Sequence, residues 1–211
     1  MLYKITYYIF KLFPRLKKWF WKKWYTIFAN KVSDPDLRFM NYGYYSDDLN
    51  IELSAEDEKD RYSIHLYHHV ASQINLTGLK VLEVGSGRGG GCSYVTRYLK
   101  PSEMYGIDIS PSAVDICNKI YNLDNLNFML GDSENLPFED NTFDHVFCLG
   151  VLQHTPDPKT AFQSLVSNLT GRPQVTERSI LIRTAWPTTE CWRTSLKTYA
   201  SRHRPERTKP S

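Results

Sequence analysis

The sequence predicts an α/β fold: a doubly wound, mostly parallel sheet, truncated at its C-terminal strands and preceded by a basic aromatic helix. Three observations predict it. Short apolar runs alternate with helix-length segments between residues 80 and 183, the pattern of βαβ units. Glycines crowd the chain directly after the first of those runs. Acidic residues stand within or just after three successive runs, where an open parallel sheet presents ligand-binding groups.

Each element follows from local pattern. Ser54-Ala-Glu-Asp57 has the form of a capping box, and Tyr62, Leu66, Val70 and Ile74 recur near helical spacing, so a helix is expected to about Gln73. Lys80–Val84 reads as a buried strand, followed after the glycines by a helix of about ten residues carrying Tyr94, Val95, Tyr98 and Leu99. Met104–Ile109 is the second strand. Ser110-Pro111 supplies an N-cap and a first-turn proline for a helix to about Tyr121. Asn127–Leu130 and Phe143–Leu149 are the third and fourth strands, and Pro158–Asn168 a further helix.

Composition sets outer bounds. With 211 residues, 41% apolar and 23% charged, the chain is ordinary globular material, neither collagen-like nor wholly disordered. No run approaches the roughly 18 apolar residues of a spanning helix. Cys92, Cys117, Cys148 and Cys191 lack C-x-x-C spacing, which suggests neither a zinc site nor a redox pair, and points to a reducing compartment. His65, His68 and His69 share a helix face, but no acid or cysteine completes a ligand set, so a helix-surface cluster and no metal are expected. Glu56–Asp60 reads as a solvated helix start whose acids suit the dipole.

Charge divides the chain into three. Residues 1–33 carry eight basic and no acidic residues, residues 34–170 nine against twenty, and residues 171–211 nine against three. An acidic middle between basic ends argues against a nucleic-acid partner, whose basic stripe would cross the domain itself. In the head, Trp19, Phe20, Trp21, Trp24, Tyr25 and Phe28 interleave with Lys17, Lys18, Lys22 and Lys23. One reading is peripheral binding of residues 1–30 to a membrane surface, since Trp and Tyr favour the headgroup layer and lysines an anionic one. Packing of the aromatics on the domain, or a targeting or anchor role, remain the other two readings.

The stretch Glu83-Val-Gly85-Ser-Gly87-Arg-Gly89-Gly90-Gly91 carries most information. Gly85, Gly87 and Gly90 satisfy the dinucleotide fingerprint G-x-G-x-x-G, while Glu83 with Gly85, Gly87 and Gly89 satisfies E-x-G-x-G-x-G. A pyrophosphate gains nothing from a carboxylate two residues before the turn; a ligand with an ammonium group does. Asp108 can accept from both hydroxyls of a ribose, and Asp132 and Ser133 can meet the edge of an adenine. The fourth strand delivers Leu149, Gly150, Val151 and His154 to the same edge.

With these motifs in place, residues 80–169 resemble a class I S-adenosylmethionine-dependent methyltransferase, of the branch reading E-x-G-x-G-x-G, an acid after the second strand, and G-D-x-x-x-L-P-F (Gly131–Phe138). Upstream, Phe39-Met-Asn-Tyr42-Gly43-Tyr44-Tyr45 resembles the lead-in of phthiotriol and phenolphthiotriol dimycocerosate methyltransferases. The resemblance implies a Rossmann-like fold with S-adenosylmethionine as cofactor. It implies that Glu83, Gly85 and Gly87 hold the methionyl end, Asp108 the ribose, and Asp132 and Ser133 the adenine. Leu149 and Gly150 would lie beside the cofactor, and Tyr42, with Tyr44 next to it, over the sulfonium. The acceptor would be a small or lipid-like molecule, with O-methylation favoured, in a cytoplasmic and membrane-associated setting. For an alcohol acceptor a base is useful, and His154 is the histidine on that edge; the bland alternative is that it bonds the loop or lines the pocket.

The family pattern then stops. Ser179–Arg183 serves as a fifth strand, but residues 184–211 lack an apolar period and read as a disordered basic tail. The expected division is therefore 1–33 head, 34–183 methyltransferase domain with an incomplete end, and 184–211 tail. A cofactor-binding but inactive interaction module is the alternative, and an NAD-dependent reductase is disfavoured because it leaves Asp132 and Leu136-Pro137-Phe138 without a role.

Overall fold

The computed structural model describes residues 37–169 and 180–183, with single residues at 13, 16, 19, 20, 23 and 27. A 3-10 turn at Glu58–Asp60 leads into α1 (Arg61–Ala71), then β1 (Lys80–Val84) and α2 (Gly90–Tyr94), which continues as a π-helical stretch over Val95–Leu99. β2 (Glu103–Asp108), α3 (Pro111–Ile120), β3 (Leu126–Leu130), β4 (His145–Leu149), a 3-10 turn at Leu152–His154, α4 (Pro158–Ser167) and β5 (Ile180–Arg183) follow.

Among the described residues the five strands pair in parallel, in the order β3-β2-β1-β4-β5. The chain works outward from β1 to β3 and then crosses to β4, so the order reverses between β1 and β4. That is the switch point at which open sheets leave a crevice beyond their carboxyl ends. β1 is buried along Val81–Val84, as a central parallel strand must be. Alternation sorts its residues. Val81 joins Phe39, Tyr67, Tyr94, Met104, Phe128 and Phe147 in the core beneath α1, α2 and α3. Leu82 and Val84 join Ile107, Phe143, Val146, Phe162 and Leu165 in the core beneath α4.

The expected α/β fold stands, with local departures. The capping box is absent: Ser54 Oγ bonds the Asp57 carboxylate instead, and α1 starts later, at Arg61. Asp60, which precedes α1, makes no cap because Arg38 holds its Oδ2. Ser110 precedes α3 but makes no side-chain cap; the proline is in the first turn as expected. The ten-residue helix over 90–99 widens to π geometry in its second half and ends on Lys100 at φ +55°. The fifth strand is present and pairs with β4, Val146 opposite Ile180. The expected loss of two further strands and the basic tail concern residues 184–211, outside the described residues. Most of the head also lies outside them; Trp19, Phe20 and Ile27 are exposed, and Lys23 Nζ sits 5.5 Å from the Trp19 ring centre. Among the described residues no helix is long and apolar enough to cross a membrane.

Candidate functional site

The site grows from the turn after β1. Gly85, Gly87 and Gly89 have φ of +85°, +54° and +78°, a region L side chains rarely adopt, and the turn is pinned by Gly85 N–H and Ser86 N–H donating to the Ile107 carbonyl at 2.8 and 2.9 Å. A Cβ on Gly85 would lie 2.0 Å from Val151 Cγ2, so the end of β4 packs directly on the turn. Gly87 is open by contrast, with Met40 Sδ at 3.4 Å as its near neighbour. Ser86 Oγ is buried and has no hydrogen-bond partner.

Asp108, at the end of β2, faces this turn half-buried. Its Oδ2 accepts from Gly87 N–H and its Oδ1 from Ser110 N–H, both at 2.9 Å. Burial pushes its carboxyl above the usual aspartate value, against the pull of the Ser110, Gly87 and Ile109 amides. Beyond β3, Gly131 N–H donates to the Asp108 carbonyl at 3.0 Å, which sets Asp132 beside it. Asp132 is half-buried and its Oδ1 accepts from Glu134 N–H; Ser133 is buried. Leu149 and Gly150 are half-buried at the end of β4, and His154 follows in the 3-10 turn, its N–H donating to the Val151 carbonyl at 2.8 Å.

Glu83 lies deeper than the other two acids. It is fully buried, its Oε1 accepting from the Tyr67 hydroxyl at 2.7 Å and its Oε2 from the Cys92 thiol at 2.8 Å. Burial pushes its carboxyl up to about 7, those two donors oppose the rise, and Asp108 adds to it. Cys92, which the sequence assigned to neither a zinc site nor a redox pair, is therefore a donor to a carboxylate. Tyr42 is 96% exposed and does not cover the turn. Tyr44 stacks on His69, ring centres 4.4 Å apart.

A strap before α1 closes the other side. The Arg38 carbonyl accepts from Gly90 N–H at 3.1 Å, and Arg88 Nε donates to the Leu37 carbonyl at 3.0 Å. An amide at the helix start, which a dinucleotide binder would offer to pyrophosphate, is thus already in use. Arg38 in turn bonds Asp57 and Asp60, and Asp57 accepts from Nη1 and Nη2 of Arg97, the Tyr98 hydroxyl and the Ser54 hydroxyl. Asp57 is 1% exposed. Burial alone would raise its carboxyl, but bonds from Arg97 and Tyr98 outweigh this and hold it well below the usual range. Within the acidic helix start, Asp57 and Asp60 are thus drawn into an ionic cluster, while Glu56 and Glu58 stay exposed as the sequence suggested.

The histidines also turn inward. His65 is buried, His68 Nδ1 lies 2.6 Å from the Tyr94 hydroxyl, and His69 carries Tyr44, so the helix-surface cluster is corrected to three separate packing roles. Among the described residues no group of three potential ligands could hold a metal. Sequence reasoning missed Arg38, Asp57, Arg97, Tyr67 and Ser86. Arg38 and Asp57 are 19 positions apart and Asp57 and Arg97 are 40, so no local pattern announces them.

Comparison with known proteins agrees with this geometry. Residues 82–170 match the methyltransferase domain family. The chain is 42% identical over 127 residues to phthiotriol/phenolphthiotriol dimycocerosates methyltransferase of Mycobacterium leprae, covering 60% of this chain and 47% of that protein. It is 42% identical over 123 residues to fatty-acid O-methyltransferase of Mycolicibacterium smegmatis, covering 58% of this chain and 45% of that one. The chain thus spans about half the length of the curated relatives it matches. Among solved structures it resembles geranyl diphosphate C-methyltransferase from Streptomyces coelicolor A3(2), with TM-score 0.55, 17% identity, and coverage of 71% of this chain and 60% of that one. It also resembles the [4+2]-cyclase SpnF, with TM-score 0.52, 23% identity, and coverage of 64% and 52%. These structural likenesses show the fold alone; a cyclase among them illustrates that fold does not fix chemistry. The motif-based likeness to S-adenosylmethionine-dependent methyltransferases, and to the phthiotriol group among them, is borne out.

Proposed function

We propose that this chain, whose residues 82–170 match a methyltransferase domain, uses S-adenosylmethionine to methylate an oxygen of a lipid-like acceptor. The observation that carries the reading is the turn after β1: open on Gly87, lined by the unpartnered Ser86 Oγ, and flanked by Asp108 with lone pairs to spare. A cofactor with amine, ribose and adenine ends suits that donor and acceptor set. The names of the curated relatives, one acting on phthiotriol dimycocerosates and one on fatty acids, favour a lipid acceptor.

The cofactor supplies a methyl group on a positively charged sulfur, so the leaving group needs no further activation. The protein's part is position and exclusion of water. Asp108 holds the ribose, Asp132 and Ser133 the adenine edge, and Glu83 faces the amine from beneath the turn. Leu149 and Gly150 form the wall at the end of β4. His154, one turn beyond, takes the proton from the acceptor hydroxyl as its oxygen attacks. Tyr42, 96% exposed, is available to the sulfonium side of the cofactor, and residues 1–30 bring the domain to a membrane surface where such acceptors reside.

Incubation of the chain with methyl-labelled S-adenosylmethionine and a lipid extract tests this. The expected product carries the label as an O-methyl group in the organic phase, and His154→Ala lowers the transfer rate without lowering cofactor affinity. Label on nitrogen overturns the O-methyl assignment. Binding without any transfer overturns the enzymatic reading in favour of an interaction module.

A further inference from the structure

Tyr67 carries α1 onto β1 and the first turn of α2. Its ring fills the space above Gly91, where a Cβ would meet Tyr67 Cε1 at 1.9 Å. It packs on Phe39 of the strap, with ring centres 5.8 Å apart, and on Phe147 of β4 at 6.4 Å. From this fixed place the hydroxyl reaches Glu83, while Cys92 reaches it from the first turn of α2. Both partners are neutral donors, and burial pushes the Tyr67 hydroxyl and the Cys92 thiol upward, so each keeps its proton to give. A buried carboxylate whose donors are neutral still lacks a counter-charge.

Resting on the cofactor reading above, we propose that Tyr67 and Cys92 are a donor pair that positions the Glu83 carboxylate for a cationic ligand, so that capture of the cofactor's ammonium group is coupled to release of one proton from Glu83 to solvent. Tyr67 is a positioning residue, since it acts through Glu83. The other titratable groups around Glu83 fit this. Asp108 on β2 opposes its ionisation, and Cys117 on α3 and Cys148 on β4 are pushed up to about 12 and stay neutral. His145, two positions before Phe147 on the same face of β4, is held neutral by burial, its value down to about 4. An arriving ammonium group then provides the counter-charge these neighbours withhold. With Glu83 standing at about 7, the coupling falls in the neutral range.

The test is calorimetric titration of S-adenosylmethionine into the full chain between pH 6 and 8.5, in pairs of buffers with different protonation enthalpies. The expected result is transfer of a proton to buffer on binding near pH 7, and affinity falling about tenfold per pH unit on the acid side. Glu83→Gln retains any exchange belonging to the ligand itself and loses this component. Tyr67→Phe moves the affinity profile to higher pH and regains wild-type affinity at its alkaline end. Equal proton exchange in wild type and Glu83→Gln overturns the coupling and leaves the cofactor reading standing. A uniform loss across pH in Tyr67→Phe, the mark of lost packing, overturns the positioning role. Absence of binding at every pH overturns the cofactor reading and this inference together.

Discussion

Two buried carboxylates, Asp57 ahead of α1 and Glu83 within β1, have surroundings that could hardly differ more. Asp57, 1% exposed, is met by the guanidinium groups of Arg38 and Arg97 as well as by two hydroxyls. Glu83, fully buried, is met by one hydroxyl and one thiol. The same functional group is held firmly ionised in the first place and pushed up to about 7 in the second. The difference teaches which of the two is structural. A carboxylate saturated with protein cations has nothing left for a ligand; one held only by neutral donors keeps its appetite for a positive charge.

The largest effect that sharpens this contrast is expected on the Asp57 side. Asp57→Ala removes the carboxylate that both nitrogens of the Arg97 fork bond and leaves Arg38 with the Asp60 carboxylate, and we expect a loss of about 3 kcal/mol in urea unfolding. A loss under about 1 kcal/mol would mean the cluster is solvent-relieved and the contrast is overdrawn. Next comes Glu83→Gln, which keeps shape and burial. It should match wild type in urea unfolding at acid pH and exceed it at neutral pH, where the wild-type carboxyl ionises, yet weaken S-adenosylmethionine binding about tenfold to a hundredfold, the scale of one hydrogen bond to a charged group. The reverse outcome, unfolding with intact affinity, would exchange the roles of the two acids.

Stability against pH should separate them in direction. Because the folded Glu83 carboxyl lies at about 7, above its ordinary 4.5, the folded chain holds that proton longer than the unfolded one. Its contribution is fully present below the ordinary value and is lost as pH rises through about 7. The stability of wild type minus that of Glu83→Gln should therefore decline across that interval and level off above it. Asp57 has the opposite sign: its stabilisation is present above the ordinary aspartate value and fades only in strong acid. Urea unfolding of both chains at a series of pH values reads this, and a flat difference would contradict the Glu83 assignment. The smallest effect is Tyr98→Phe, which removes one neutral donor from an already saturated Asp57. About 1 kcal/mol of stability is expected, with cofactor affinity unchanged at every pH.

This contrast also explains what could be read from the sequence and what could not. The strands and the turn were legible because their signals are local: KVLEV followed by Gly85, Gly87 and Gly89, then an acid at the end of β2, each within a few residues. Backbone amides hold Asp108, and they come with the turn whatever the neighbouring side chains are. Asp57 was read as a solvated acid because its partners Arg38, Arg97 and Tyr98 come from distant segments that only folding brings together. Glu83 was recognised, but its depth was not, since Tyr67 reaches it from a helix 16 positions earlier. Ser54-Ala-Glu-Asp57 misled for the same reason: tertiary arginines outbid the local cap.

The central claim is that the turn after β1, with Asp108 beside it, holds S-adenosylmethionine. Titration of that cofactor into the full chain at pH 8, with Asp108→Ala in parallel, tests it most directly. Saturable binding at one site that the substitution abolishes is the predicted result; no binding, or binding indifferent to Asp108, would contradict the account.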